Sequence, residues 1–353
     1  MAERAPLTAG ARLSVDYLPA EQLAHRPAGW WSDVLGVVPF GRVPLVECDP
    51  DVPLAPVPLE VLDSGAITAE LWRLSAPLRS GRHGRVHFRA GDAALFGRIV
   101  VDEATGDADA TRLQRATIEA YREIFATLGD LGYPHLLRIW NYLAAINEET
   151  ELGERYRQFN TARRQVFVEC RRETEGDVPA ACALGSVSGS PLVVYFIATR
   201  SRSRAIENPR QVSAYHYPRE YGPDSPIFSR AAIAADGIGE HLFISGTASI
   251  VGHRSIHTGD AAAQTRESAA NVHALVDAAN AASGPGVYSA ETLRYKVYVR
   301  HQRDLPAVRR ELLAALRPAH PVTYLQADVC RAELLVEIEA VGGPARGPRP
   351  PRP

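Results

Sequence analysis

FISGTASIVGHRSIHTGDAAAQTRESAAN, residues Phe243–Asn271, reads as a strand, a loop and an amphipathic helix in succession. The apolar, β-prone start predicts the strand. The polar, glycine-rich middle predicts a loop holding His253, His257, Gly259 and Asp260. Beyond it Val272, Leu275, Val276 and Ala279 recur at helical spacing, so Asp260 stands where an N-cap belongs. The partner of this segment is the closing stretch AELLVEIEAV, Ala332–Val341. Its alternation puts Leu334, Val336 and Ile338 on one face and Leu335, Glu337 and Glu339 on the other. A carboxylate in so apolar a strand is unusual. Buried beside a cleft, it acquires a raised pKa and can donate a proton.

Read from its start, the chain opens with a proline-rich region to about residue 60, where prolines break helical periodicity and short strands and turns are expected. His87–Glu103 reads as strand, turn, strand, and Asp109–Gly132 as a strong amphipathic helix ending at glycine. His135–Ile146 is a buried strand, Gly153–Phe167 a charged and aromatic segment, and the runs around Pro179–Gly185 and Pro191–Arg200 are strand-like. After a polar linker, Ser201–Glu207, the order repeats. A loop dense in tyrosine and arginine (Asn208–Ala231) precedes the Phe243 unit, the helix Gln264–Ala282, a strand Leu293–Arg300 and a helix Leu305–Leu316. The runs Pro321–Val329 and Glu333–Val341 close the copy. Pro179 stands as far from Tyr195 as Pro321 does from Glu337, so VVYFIA lies over LVEIEA. The expectation is an α/β (α+β) chain of two related halves, residues 1–200 with a proline-rich extension and residues 208–342. Each is a mixed sheet with helices on one face, and residues 343–353 form a disordered tail. Glu337 takes, in the second copy, the place that Tyr195 has in the first.

Composition narrows the function classes. With 353 residues, 46% hydrophobic, 23% charged and a formal net charge of −2, the chain is a globular protein with no global electrostatic case for nucleic acid or an anionic membrane. No run approaches the about 20 apolar residues of a membrane span, and the first residues lack a signal-peptide core, so the cytoplasm is expected. Cys48, Cys170, Cys182 and Cys330 show no zinc spacing and are expected as buried thiols, with Cys330 open to a further role. His253 and His257 have HxxxH spacing but lie in a loop between Gly252 and Gly259, so a hydrogen-bonding role is expected and no metal. Nucleotide-binding glycine patterns are absent, and no cofactor is expected.

The run GTASIVG…GD…QT…N, with YKVYV and VEIEA after it, resembles the Rid (YjgF-like, chorismate-mutase-like) fold, whose members deaminate enamines and imines. Those enzymes hold the substrate carboxylate with the arginine of a PAR motif. Here the triplet is Pro321-Val322-Thr323, which disfavours that activity. The two-copy layout from about residue 85 to 341, with Asn208–Ala231 and the Phe243 unit, resembles the chorismatase family. This implies removal of pyruvate from chorismate, with Glu337 as the catalytic acid. It also implies that Arg163 and Arg230 clamp carboxylates, with Tyr156 and Tyr217 as hydroxyl donors; Tyr215, Arg210 and Arg157 are further candidates. In the subgroup that forms 3-hydroxybenzoate, a glycine and a cysteine stand at the positions of Gly246 and Cys330, so Cys330 is expected to assist proton transfer. The hydrolytic subgroup tends to carry alanines there and gives 3,4-dihydroxycyclohexa-1,5-diene carboxylate. The resemblance therefore implies a cofactor-free enzyme with chorismate as its partner; the cytoplasm is expected from the sequence, and a monomer is the favoured state. A non-catalytic Rid-like binding module is the reading from another class.

Overall fold

The computed structural model describes residues 12–42, 46–63, 67–103, 112–234 and 237–345. In the N-terminal region, β1 (Leu13–Pro19), β2 (Val34–Phe40) and β3 (Thr68–Leu74) form a three-stranded antiparallel sheet in the order β1-β3-β2. The prolines keep the intervening segments in turns and isolated bridges, as their missing N–H groups require.

The first large unit comprises β4 (Arg79–His83), β5 (Val86–Ala90), β6 (Ala94–Val101), α1 (Arg112–Leu131), β7 (His135–Ala144), α2 (Arg155–Glu169), β8 (Ala180–Ser186) and β9 (Leu192–Thr199). The second comprises β10 (Arg204–Ile206), β11 (Ala231–Ile233), β12 (Leu242–Ala248), α3 (Ala261–Ser283), β13 (Arg294–Val299), α4 (Leu305–Leu316), β14 (Thr323–Gln326) and β15 (Val336–Gly342). Their strand orders, β8-β7-β9-β6-β5-β4 and β14-β13-β15-β12-β11-β10, coincide position by position. In both, the pair at one edge is parallel and the rest are antiparallel. The sequence repeat is therefore a structural one.

Each sheet buries one face under its own two helices. Leu113, Tyr121, Ile124 and Phe159 pack on the first sheet, and Val272, Leu275, Val308 and Leu312 on the second. The opposite faces meet the three-stranded sheet in a shared interior of Phe40, Trp72, Trp140, Tyr195, Phe243 and Tyr298. Within the second unit, Asp260 caps α3 by accepting a 2.9 Å hydrogen bond from the Ala263 amide. Replacing Asp260 with alanine is expected to cost about 1 kcal/mol, read as a lower denaturation midpoint with an unchanged slope.

Several expectations change. The linker Ser201–Glu207 contains β10, which pairs with β11 as the edge of the second sheet. Residues Gly153–Phe167 are mostly helical, as α2. Cys182 is buried, but Cys48 and Cys170 are only partly so, because they lie at the margins of their packing clusters. Of the expected tail only residues 343–345 are described, and residues 109–111 of the Asp109–Gly132 helix also lie outside the described residues. Among the described residues no helix is long and apolar enough to cross a membrane.

Candidate active site

A cavity of about 280 Å³, at the small end of the range for small-molecule sites, opens between the two units. Its floor is Gly246 and Ala248 of β12 with Glu337 of β15. Tyr156 and Arg157 reach in from the first turn of α2, Tyr217, Phe228 and Arg230 come from the tyrosine-rich loop, and Cys330 and Arg331 come from the turn before β15. Glu149, Glu154, Glu220 and Glu333 also line it.

The alternation of β15 turns Val336 and Ile338 toward α3 and α4 and leaves Glu337 on the interior face. Glu337 is 4% exposed, and its pKa is pushed up to about 8, first by burial and then by the negative charge of Glu339, against the pull of Arg138 and Arg230. It therefore carries its proton at neutral pH.

The space for the carboxyl comes from Gly246. The β12–β15 register shifts between Ile244 and Thr247, and a Cβ built on Gly246 would lie 1.7 Å from Glu337 Oε1. Ser245 anchors this bulge: its hydroxyl donates to the Ser229 carbonyl at 2.6 Å and accepts from the Ala181 amide of β8 at 2.9 Å.

Around the acid stand groups that hold their protons. Burial, with the charge of Glu337 adding to it, pushes the Cys330 thiol up to about 12, so it is a thiol and not a thiolate. Burial likewise raises Tyr156. The cationic side is Arg230 and Arg331. Arg230 is 3% exposed, and its Nη2 donates to the Tyr217 hydroxyl and the Val212 carbonyl, both at 2.7 Å. Arg331 lies 3.8 Å over the Tyr221 ring centroid and donates to the His253 carbonyl at 2.9 Å.

Of the residues expected from sequence, Glu337, Cys330, Tyr156, Tyr217, Arg230 and Gly246 meet in this cavity, and so does the further candidate Arg157. Arg163 and Tyr215 do not line it. Arg163 lies two turns beyond Tyr156 on the same face of α2, 2% exposed among the rings of Tyr121, Phe159 and Phe167. Tyr215 packs edge-on to His216 at the margin of the first unit's helix-side core. Arg210 is tied to Glu267 and to Asn271 of α3. Arg331, Tyr221 and Phe228 escaped the sequence reading, although Arg331 directly follows Cys330. His253 faces Tyr221 and Glu220, and His257 faces Glu267. Among the described residues no three or more His, Cys, Asp or Glu are grouped to hold a metal ion.

The first unit's counterpart of this cleft is filled. Tyr195 pairs with Trp140 and Arg98 as Glu337 pairs with Tyr298 and Ala248. Arg89 stands in the register of Arg230, since Ala90 pairs with Leu95 as Ala231 pairs with Ile244. The Arg89 guanidinium is taken by the carbonyls of Trp31 and Val34, both at 2.7 Å, and the Tyr195 hydroxyl by Glu70 and Lys296.

A small cavity with a proton-bearing carboxyl, phenolic hydroxyls and arginines is suited to acid chemistry on a small anion. Residues 70–198 match the family model described as chorismatase FkbO/Hyg5-like, N-terminal. A 3-hydroxybenzoate synthase of Streptomyces hygroscopicus is 39% identical over 287 residues, covering 77% of this chain and 81% of that protein. A chorismatase of Streptomyces rapamycinicus is 38% identical over 280 residues, with the same coverage of both chains. A crystal structure of a chorismatase superposes with a TM-score of 0.83 at 31% identity, covering 95% of this chain and 99% of that one. The chain belongs to the chorismatase family.

Proposed function

We propose that the protein converts chorismate to 3-hydroxybenzoate and pyruvate. The observation that carries this reading is the buried Glu337 carboxyl, protonated at neutral pH, in a cavity of the right size that also holds Arg230, Gly246 and Cys330. Glu337 gives its proton to the terminal methylene carbon of the enolpyruvyl group, and the enol ether becomes an oxocarbenium ion. The 4-hydroxyl oxygen then attacks the neighbouring ring carbon. The bond from that carbon to the ether oxygen breaks with its electron pair going to oxygen, pyruvate leaves, and the hydroxyl proton returns to Glu337. The resulting arene oxide opens at the 4-position as its oxygen takes a proton, for which the Cys330 thiol is the relay. Loss of the 3-hydrogen as a proton completes the aromatic ring and restores the relay. Atoms balance between substrate and the two products, so no co-reactant enters.

Arg230, Arg331 and the hydroxyls of Tyr217 and Tyr156 suit the two carboxylates of chorismate, because guanidinium forks and phenols donate in the directions that carboxylate oxygens accept. The cavity is lined by residues of both units of one chain, which suits action as a monomer, and the cytoplasm is the compartment we assign. Wild-type protein incubated with chorismate is expected to release pyruvate and 3-hydroxybenzoate in equal amounts, resolved by chromatography with pyruvate assayed separately. Cys330→Ala is expected to keep releasing pyruvate while 3-hydroxybenzoate falls at least about 10²-fold relative to it, the lower end of what a lost proton relay costs. Pyruvate with the diene diol from the wild type would replace the aromatising reading by the hydrolytic one. No pyruvate from folded protein would leave the binding module.

A further inference from the structure

Beneath Glu337 lies a group of buried charges that the proposed chemistry does not use. Glu339, two residues along β15 and on the same face, receives Arg138 Nη2 at 2.7 Å on one oxygen. Its other oxygen is 2.7 Å from Lys296 Nζ and accepts from Trp140 Nε1 at 3.1 Å. Lys296 also reaches Glu70 at 2.6 Å, and Glu70 accepts from Trp72 Nε1 at 2.6 Å and from the Tyr17 hydroxyl at 3.1 Å. All four charged residues are at most 5% exposed, and they come from β3, β7, β13 and β15, so the group spans all three sheets.

Such an arrangement is poorly explained by stability alone, since buried ion pairs often contribute no more than well-packed apolar residues of similar volume. The repeat supplies an internal comparison. Ile197 pairs with Arg138 in the first unit as Glu339 pairs with Lys296 in the second. The fold thus accepts an apolar side chain at this register position in the unit whose neighbouring position is Tyr195. It carries a carboxylate only where the neighbour is Glu337.

We propose that Glu339 is a positioning residue for the acid: clamped between Lys296 and Arg138, it is a fixed negative charge beside Glu337 that disfavours loss of the Glu337 proton. The inference rests on the reading of Glu337 as the acid. Burial alone would raise Glu339, but Lys296 and Arg138 overcome it and hold its pKa below the usual range, so the charge is present throughout the neutral region. The other groups that interact with the Glu337 charge are Arg138 of β7, Cys182 of β8, Tyr156 of α2, Arg230 and Cys330, while Arg157, Tyr217, Arg331 and the carboxylates of Glu149, Glu154, Glu220 and Glu333 line the cavity that it faces. Arg138 and Arg230 pull its pKa down, the thiols and the Tyr156 phenol are neutral, and Glu339 is the charge that opposes those two arginines.

The test is Glu339→Gln in the full chain. The Glu337 carboxyl is followed without substrate by its infrared C=O band across pH, assigned by its loss in Glu337→Gln. The midpoint is expected to move acidward by one unit or more, and the alkaline limb of kcat with it. Since Glu339→Gln leaves two cations facing a neutral amide, Glu339→Gln/Lys296→Met is measured as well. It removes one charge of each sign and is expected to shift the same way. An unchanged or alkaline midpoint in either folded variant overturns the proposal, as does lost activity without a shift. The band titrates whether or not chorismate is turned over, so failure of the assigned reaction and failure of this inference are read separately.

Discussion

Glu337→Gln is expected to lower kcat by at least about 10²-fold, within the roughly 10²–10⁴-fold typical of general acid catalysis, and at the same time to stabilise the folded protein at alkaline pH. The gain in stability is a consequence of linkage. The folded-state pKa is about 8, against 4.5 for the ordinary carboxyl. Below pH 4.5 both folded and unfolded states hold the proton, and the shift costs nothing. Between 4.5 and 8 the unfolded chain has released its proton while the folded one retains it, so stability declines as pH rises, and above 8 the full penalty remains. At 1.36 kcal/mol per unit the penalty is on the order of 3 to 5 kcal/mol. Glutamine, of the same shape but without the charge, removes it. Denaturant midpoints for wild type and Glu337→Gln should thus converge near pH 4.5 and separate in favour of the variant at pH 9. A variant less stable than wild type at pH 9 would show that Glu337 is not held in its protonated form. Wild-type kcat should fall as pH rises through about 8, where the acid loses its proton.

Much of the site was legible because it lies on elements with strong periodicity. The alternation of Ala332–Val341 separates Glu337 from Val336 and Ile338 without a structure, and the two-fold repeat identifies Tyr195 as its counterpart. The helix α2 was not legible. Its inward face carries Tyr156, Asn160 and Arg163 together with Phe159 and Val166, so polar and apolar residues share the buried side and the usual amphipathic contrast disappears. Strand β10 was hidden for another reason: three residues with one buried side chain are too few for a period to register, and the strand exists because the edge of β11 offers it partners. The Glu70–Lys296–Glu339–Arg138 group lay beyond sequence reading altogether. Its members are up to 269 positions apart, from Glu70 to Glu339, and only the meeting of three sheets brings them together.

Gly246→Ala tests whether the acid depends on an empty place in the strand opposite. The added methyl group would sit 1.7 Å from Oε1 and 2.6 Å from Cδ of Glu337, distances no structure tolerates, so something moves. The backbone of β12 is held on both sides by the Ser245 hydroxyl, whereas the Glu337 carboxyl is the end of a flexible side chain. The carboxyl is therefore what yields, and the stability cost stays within the about 1–3 kcal/mol typical of overpacking. The catalytic cost is larger, because an acid about 1 Å out of position can lose on the order of 10²-fold in rate. A displaced Glu337 also leaves the spot where burial and Glu339 hold its proton. The alkaline limb of kcat is then expected to move below pH 8, while KM, set by the arginines and tyrosines across the cavity, changes little. This combination separates displacement of the acid from general loss of the fold, which would lower the amount of active protein and leave the limb in place. An unchanged kcat and limb in Gly246→Ala would mean that Glu337 acts from another rotamer. The distribution between aromatic and diene-diol products in the same variant reports whether the small residue also governs the fate of the protonated substrate. Once the carboxyl is displaced, the base that takes the 4-hydroxyl proton is displaced with it. The ring carbon that loses pyruvate is then open to water, and a larger share of diene diol is the expected result.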